Sequence, residues 1–337
     1  MPAVQAQFED FHARIKLDND DEKAQLREKR ETLLKALRTG LGKDVPSFDN
    51  FNQGSYAMFT GVAPPDRNYD IDVGLVFDCN WDRYPDPVEL KKKVRDALNS
   101  NGRTVSIRRS CVTVNYMRDG KPEYHVDLAL YTKRHDNCLD LAKGKENSQA
   151  DLRTWEASDP KELTKVICTA FADPNRMAQY RRCIRYLKRW RDIQFPTGGA
   201  PLSIAITVSA KEWFRPQLET SGKPADLLAL LMWVETMLAQ FRNTPTSADG
   251  VHERLKVMLP VTPHADLMAG MTKEQMATFK AKLNVLRDTL RAAYKEPLPE
   301  KACSLLNIQF GDDFKVPEKA QTARVVSAPV ISTGNSA

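Results

Sequence analysis

The sequence predicts an α+β fold in two lobes, a strand-containing lobe followed by a helical one, with a long N-terminal helix that braces both. The segments "YDIDVGLVF" and "EYHVDLALY" predict the first lobe, because their apolar residues alternate with other residues as in strands with one buried face. From about Asp159 onward, apolar residues recur at the spacing of amphipathic helices, which predicts the second lobe.

The elements of the first lobe follow in order along the chain. Residues 18–41 predict one helix, with acidic residues at its start, basic residues in its later turns and Gly40 near its end. "QGSYAMF" predicts a turn that opens a short helix capped by Ser55. A strand over residues 69–77 and a helix in "RYPDPVELKKKVRDALNS" come next. "SCVTVNYM" and "EYHVDLALY" then predict a hairpin that turns at Asp119-Gly120.

The second lobe is predicted as five helices and a loose tail. The helices fall in "DPKELTKVICTAFA", "NRMAQYRRCIRYLKRWRDI", "PLSIAITVSAKEWF", "ADLLALLMWVETMLAQFRN" and "TKEQMATFKAKLNVLRDTLRAAY". The end of the chain is rich in Ser, Thr, Ala and Val without a helical period, which is typical of an unstructured end. We therefore divide the chain into a brace helix (1–45), a strand-containing core (46–158), a helical lobe (159–318) and a flexible tail (319–337).

The composition excludes several classes of protein. The 337 residues are 42% hydrophobic and 28% charged, as in soluble globular chains. No apolar run approaches the roughly 18–20 residues of a membrane span, and the start lacks the pattern of a secretory signal. The six cysteines are scattered without a C-x-x-C pair, and the five histidines are dispersed. We therefore expect a cytoplasmic protein with reduced thiols, no membrane partner and no His/Cys metal site.

One segment of the chain is strongly basic, although the net charge of +6 is small. "RMAQYRRCIRYLKRWR", residues 176–191, carries seven basic residues and no acidic one. Its apolar residues have helical spacing and would face the core, which leaves Arg181, Arg185 and Lys188 near a boundary. One interpretation of these cations is a solvated basic face. A local positive field of this kind would also suit a polyphosphate, at least as well as a nucleic-acid duplex.

Three aspartates share one small sheet. Asp70 and Asp72 lie on one face of the first strand, and Asp127 lies on the polar face of the second hairpin strand. Like charges about 4 Å apart repel by about 4 kcal/mol at an effective dielectric near 20, so an unpaired cluster would be costly. Two Mg²⁺ ions would offset that cost and could support an in-line displacement at a phosphate.

The upstream Gly-Ser pair fits the same chemistry. Gly54 would let the backbone approach a phosphate closely, and Ser55 could donate its hydroxyl. An Asp-x-Asp pair alone also occurs in solvated strand ends and in glycosyltransferases. The combination of Gly-Ser, a loop, Asp-x-Asp and a third strand aspartate is much more specific.

The segments "QGSYAMFT", "YDIDVGLVF" and "YHVDLALY" resemble the signature of the nucleotidyltransferase superfamily that includes poly(A) polymerases, oligoadenylate synthases and cyclic GMP-AMP synthase. The best match is the bacterial CD-NTases, the cyclic-oligonucleotide synthases of CBASS anti-phage operons. "RYLKRW" and "PLSIAITVSA" extend this resemblance to the helical lobe. The resemblance implies a two-lobed nucleotidyltransferase fold with a mixed sheet, and synthesis of a cyclic di- or trinucleotide from ATP, GTP or other NTPs with release of pyrophosphate.

The resemblance also implies roles for eight residues. Catalysis and metal binding would fall to three aspartates: Asp70, Asp72 and Asp127. Nucleotide binding would fall to the residues of the turn and of two helices: Gln53, Gly54, Ser55, Lys188 and Ser203. Without the resemblance, Ser203 would be interpreted as an ordinary helix-cap serine.

The resemblance predicts partners as well as substrates. In related operons an E1–E2-like enzyme can conjugate the C-terminal residue, here Ala337, and the cyclic product activates a downstream effector; a plain disordered end is the alternative for this tail. The zinc element with which vertebrate relatives grip DNA has no counterpart here, so no DNA activator is expected. Two other functions stay open at this point, a linear template-independent nucleotidyltransferase and a catalytically inactive nucleotide-binding scaffold.

Overall fold

The structure is a computed structural model that describes residues 3–318 except 18–19, 65–68, 100–102, 119–120, 135, 137 and 247–249. For residues 69 and 70 it describes the backbone alone. The predicted hairpin turn Asp119-Gly120 and the predicted tail at 319–337 therefore lie outside the described residues, as do residues 65–68 of the loop that precedes β2.

Two helices, rather than the single helix predicted, form the N-terminal segment. Helix α1 (Gln5–Ile15) was not predicted, and helix α2 (Asp20–Gly40) confirms the prediction for residues 18–41. Phe11 of α1 is fully buried and stacks on Tyr186 of the helical lobe with ring centroids 5.3 Å apart. Leu33, Leu34 and Leu37 of α2 pack instead in the core beneath the sheet. The segment therefore contacts both lobes, with one helix for each.

A mixed seven-stranded sheet forms the first lobe. The strands are β1 (Phe48–Asn52), β2 (Tyr69–Phe77), β3 (Arg103–Ile107), β4 (Val112–Arg118), β5 (Lys121–Lys133), β6 (Leu139–Ala142) and β7 (Trp155–Ser158). Their order is β1-β2-β5-β4-β3, with β6 on β5 and β7 on β6. Only β2 and β5 pair in parallel within this described sheet. The strand at 69–77 and the β4–β5 hairpin confirm the predictions, whereas β1, β3, β6 and β7 were not predicted.

One face of this sheet is the apolar core of the lobe. Ile71, Val73 and Leu75 of β2 are fully buried on it, and α2 and helix α4 (Pro87–Leu98) cover it. Lys91 of α4 is buried too, and its ammonium donates to the carbonyl oxygens of Arg108, Arg109 and Gly144 at 2.8–3.1 Å. Burial lowers the pKa of Lys91 to about 8. With this face closed, the opposite face is left to form a site.

The second lobe contains the five predicted helices and three elements that were not predicted. The helices are α5 (Pro160–Cys168), α6 (Pro174–Gln194), α7 (Ser203–Trp213), α8 (Asp226–Ala239), α9 (Lys273–Lys295) and the unpredicted α10 (Pro299–Phe310). The strands β8 (Arg242–Thr246) and β9 (Gly250–Arg254) add a small antiparallel hairpin. In the described part of the chain, no helix combines the length and the apolar character that a membrane crossing requires.

Helix α6 is held at the centre of this lobe by a buried carboxylate. Asp226 of α8 is fully buried and accepts two hydrogen bonds from Arg182 of α6, at 2.7 and 2.9 Å. Its backbone amide donates to Gln5 of α1 at 2.9 Å. Because a buried carboxylate is costly unless it is paired, this arrangement fixes the relative positions of α1, α6 and α8.

Candidate active site

The pairing of β2 with β5 brings Asp72 and Asp127 side by side. The two residues are direct partners in the parallel register, and so are the fully buried Ile71 and Val126 that precede them. Since side chains alternate along a strand, both aspartates project from the face opposite the core. The backbone of Asp70 continues the same register opposite His125, but its side chain lies outside the described atoms.

The two described carboxylates fit a site for a divalent cation. No group of three or more His, Cys, Asp or Glu side chains able to hold a metal is present among the described residues, where Asp70 contributes only its backbone. Adjacent carboxylates are nevertheless the hard oxygen ligands that Mg²⁺ prefers. They also repel each other without a cation. The donor set on this face of the sheet is therefore suited to Mg²⁺, with Asp72 and Asp127 as its described members.

Gly54 lies directly against the carboxylate of Asp72. Its φ is +66°, and a Cβ atom added there would lie 1.8 Å from Oδ2 of Asp72. The amide of Gln53 also donates to the carbonyl oxygen of Asp72 at 3.1 Å. The Gly-Ser turn is thus bound to β2, and position 54 needs both the conformational freedom and the small size of glycine.

Ser55 does not cap the short helix, contrary to the prediction. Helix α3 (Gly54–Ala57) begins after Gln53, which occupies the N-cap position without a side-chain capping bond. Ser55 falls inside the first turn, two residues after the N-cap position. The sequence placed the helix correctly but not its first residue, because the glycine before Ser55 adopts a positive φ that composition alone does not reveal.

Gln53 is oriented by a buried tyrosine. The hydroxyl of Tyr131 donates to Oε1 of Gln53 at 2.9 Å. Burial raises the pKa of Tyr131, so the phenol stays protonated and remains a donor. Tyr131 was not predicted as a site residue, although it shares the polar face of β5 with Asp127 in the sequence pattern.

Asp127 is also held by a neighbour that was not predicted. The hydroxyl of Thr113 on β4 donates to Oδ1 of Asp127 at 2.5 Å, across a direct antiparallel pair. The thiol of Cys111 lies 3.6 Å from the same hydroxyl, and burial raises its pKa to about 12. Alternation along "SCVTVNYM" gives the face of Thr113, but only the register reveals that it is opposite Asp127.

Lys188 is buried in α6 rather than solvated. It is 4% exposed, and its ammonium donates to the carbonyl and hydroxyl oxygens of Thr60 at 3.2 and 3.1 Å. Burial, followed by the nearby charge of Arg185, lowers the pKa of Lys188 to about 7. A neighbouring cation in α6 serves the fold, since Arg185 donates to the carbonyl oxygens of Phe59 and Gly61. The basic helix therefore holds the loop that follows α3.

A cavity of about 490 Å³ between the lobes brings together most of the predicted site residues. Six of the eight line it: Gln53, Gly54, Ser55, Asp72, Lys188 and Ser203. Asp127 is not among the lining residues, but it is the direct strand partner of Asp72. The remaining wall is largely aliphatic, with Leu163, Ile204, Leu259 and Val261. Ser203 is the first residue of α7, after the N-cap residue Leu202, so it does not have the capping role.

A larger cavity of about 870 Å³ is present as well. Five arginines contribute to its lining: Arg27, Arg30, Arg181, Arg182 and Arg185. Ser55 is the one predicted site residue that it shares with the smaller cavity, and neither Asp72 nor Lys188 contributes to it. Size alone would favour this cavity, but the carboxylates and the Gly-Ser turn identify the smaller one as the candidate active site.

The comparison with known families matches the same part of the chain. Residues 48–131, from β1 through most of β5, match the model of the nucleotidyltransferase domain of DncV-like cyclic GMP-AMP synthases. Residues 48–131 form a DncV-like nucleotidyltransferase domain. This domain contains the Gly-Ser turn and all three aspartates, and the resemblance to the bacterial CD-NTases is confirmed.

Similar proteins extend the match beyond this nucleotidyltransferase domain. A cyclic GMP-AMP synthase of Escherichia albertii is 29% identical over an alignment of 168 positions that covers 46% of this chain and 35% of that relative. The CD-NTase CdnG of Bradyrhizobium diazoefficiens, solved in complex with GTP, superposes with a TM-score of 0.70 at 17% identity, over 93% of this chain and 96% of that one. Vibrio cholerae DncV, a cyclic AMP-GMP synthase, gives 0.65 at 16% identity, over 91% and 96% of the two chains. These likenesses confirm the predicted two-lobed fold.

Proposed function

We propose that the protein is a nucleotidyltransferase that joins nucleoside triphosphates into a cyclic di- or trinucleotide. The observation that carries the proposal is the Asp72–Asp127 pair, in which Asp72 lies against Gly54 and lines a cavity together with Lys188 and Ser203. The similar DncV structures support it, because one of them contains the linear intermediate 5′ pppA(3′,5′)pG. ATP and GTP are accordingly the substrates that we propose first.

The residues of the cavity suggest how a nucleoside triphosphate would be bound and how its α-phosphate would react. Asp70, Asp72 and Asp127 would hold two Mg²⁺ ions, which when bound support attack of a hydroxyl on an α-phosphate and departure of pyrophosphate. Gly54 allows the backbone to approach the phosphates, because it has no side chain there. The Ser55 and Ser203 hydroxyls can donate to phosphate oxygens. The aliphatic wall would exclude water from the base and from the reacting groups.

An assay of the products tests the proposal directly. The protein is incubated with Mg²⁺ and labelled ATP and GTP, and the products are then treated with phosphatase. Small phosphatase-resistant products are expected, because a cyclic product has no terminal phosphate. Ladders with phosphatase-sensitive ends would instead indicate the linear nucleotidyltransferase. No incorporation under any condition, together with retained nucleotide binding, would favour the inactive scaffold.

The binding of the triphosphate is expected to depend on pH through Lys188. With a pKa of about 7, its ammonium is half protonated near neutrality, and only the protonated form attracts phosphate. The affinity of wild-type protein for a non-hydrolysable ATP or GTP analogue should therefore fall as pH rises above 7, by up to about tenfold per pH unit. Calorimetry in buffers of different ionisation enthalpy should show uptake of about one proton per nucleotide above that pH.

Two variants of Lys188 provide the controls. Lys188→Arg keeps the cation at every pH, so the extra pH dependence and the proton uptake should disappear. Lys188→Met should bind weakly at all pH values, as the wild type does at high pH. The ionisation of the nucleotide itself is common to the three proteins and cancels in the comparison. Equal pH slopes for wild type and Lys188→Arg would contradict the role of Lys188.

The resemblance to the CD-NTases also supports a cellular role. We propose a cytoplasmic enzyme of CBASS signalling, whose product activates an effector and whose Ala337 is a target for an E1–E2-like enzyme. We also propose that the two lobes divide near residue 158, which the end of β7 at Ser158 and the start of α5 at Pro160 support. Mass spectrometry of the protein co-expressed with its operon neighbours tests the conjugation, which an unmodified terminus in every species would exclude.

A further inference from the structure

The hydroxyl of Thr113 makes the shortest described contact to the Asp127 carboxylate. Its Oγ1 lies 2.5 Å from Oδ1 of Asp127, and the two residues are cross-strand partners on β4 and β5. An ionised carboxylate only accepts hydrogen bonds, so the threonine proton is directed at Asp127. The Cys111 thiol lies 3.6 Å from Oγ1 of Thr113. Thr113 is therefore a hydrogen-bond donor to Asp127 across the two strands.

We propose that Thr113 is a positioning residue for Asp127, which holds Oδ1 so that the second carboxylate oxygen is presented to the cation. The proposal rests on the proposed function, because it assigns Asp127 to the metal site. Thr113 itself touches neither cation nor substrate in this proposal. It acts through the carboxylate, as outer hydrogen-bond partners of metal ligands do.

Two features of the geometry make Thr113 suited to this role. Its side chain is branched at Cβ, so χ1 on a strand is restricted and the hydroxyl has few alternative directions. Thr113 is also 6% exposed, so little water is available to replace its bond to Asp127. The repulsion between Asp72 and Asp127 would otherwise turn the second carboxylate away from the first. Thr113 opposes that rotation before a cation arrives.

The experiment measures the binding of Mn²⁺, a paramagnetic substitute for Mg²⁺, without any nucleotide. Mn²⁺ is titrated into each protein, and the bound fraction is obtained from the loss of the electron paramagnetic resonance signal of the free ion. Thr113→Val keeps the shape and the strand preference but removes the donor. Its Kd for Mn²⁺ should rise at least about tenfold, and Thr113→Ser should restore binding to near the wild-type value.

Thr132→Val is the matched control. Thr132 lies on the same strand as Asp127, is fully buried, and its hydroxyl has no hydrogen-bond partner among the described residues. The change from threonine to valine is thus the same, at a position that does not contact Asp127. Thr132→Val should leave the Kd for Mn²⁺ unchanged, and circular dichroism verifies that all the variants are folded.

The outcomes separate this inference from the proposed function. Equal Mn²⁺ affinity in wild type and Thr113→Val, or equal losses in Thr113→Val and Thr132→Val, would overturn the role of Thr113. A wild type that does not bind Mn²⁺ would overturn it as well. The expected Mn²⁺ affinities of wild type and variants, together with no product from labelled ATP and GTP, would support the positioning role of Thr113 and contradict the proposed function.

Discussion

Replacement of Asp70 and Asp72 together by asparagine is expected to lower nucleotide incorporation by about a thousandfold or more while the protein remains folded. Asparagine is nearly isosteric with aspartate but carries no charge, so two of the three carboxylates for the cations are lost. Stability should not fall, because like charges in proximity destabilise the folded chain and the double variant removes two of them. Loss of activity without loss of stability is the signature of a functional charge cluster.

The measurement combines the product assay with thermal unfolding of the same preparations. Asp78→Asn is the matched control, because Asp78 directly follows β2 and its exposed carboxylate pairs with Lys133 at 2.6 Å, away from the cavity. This variant should retain activity within about twofold, as surface ion pairs contribute little to stability. If the double variant with Asp70→Asn and Asp72→Asn formed product at the wild-type rate, the catalytic role of the pair would be refuted.

The elements that hold the predicted site residues could be located from the sequence where a local pattern of apolar residues marks them. Strand β2 was located because Ile71, Val73, Leu75 and Phe77 alternate with other residues over its whole length. The β4–β5 hairpin was located in the same way. Strand β1, "FDNFN", was missed because it is short and polar, and it forms only through its antiparallel pairing with β2. Tertiary pairing here outweighs intrinsic preference.

The supporting residues of the site were not predictable, for a different physical reason. Thr113 and Tyr131 act through hydrogen bonds to Asp127 and Gln53, respectively, and each bond depends on which residues face each other across strands. Alternation gives the face of a residue but not its partner, because a strand can shift by two residues and keep the same face. Lys188 illustrates the same limit. The sequence indicated a cation near a boundary, and only the packing of α6 shows that Thr60 accepts its hydrogen bonds.

Gly54→Ala is expected to lower activity by about a hundredfold and to destabilise the protein beyond the cost of the backbone alone. The positive φ of +66° makes any L-residue unfavourable at this position, by about 1–2 kcal/mol. The added methyl would also lie 1.8 Å from Oδ2 of Asp72, a separation that requires either the turn or the carboxylate to move. A displacement of about 1 Å at a reacting centre is enough to reduce rates by about a hundredfold.

Gly250→Ala separates the two contributions. Gly250 has the same φ of +66°, and no described atom lies within 4 Å of its added Cβ. Both variants therefore carry the same backbone cost, but only Gly54→Ala has the overlap with Asp72. The difference between their free energies of unfolding, measured by urea denaturation, isolates the steric cost. Gly250→Ala should retain wild-type activity. Full activity of Gly54→Ala would contradict this prediction. It would mean that the position of the Asp72 carboxylate, which the turn fixes, does not matter for catalysis.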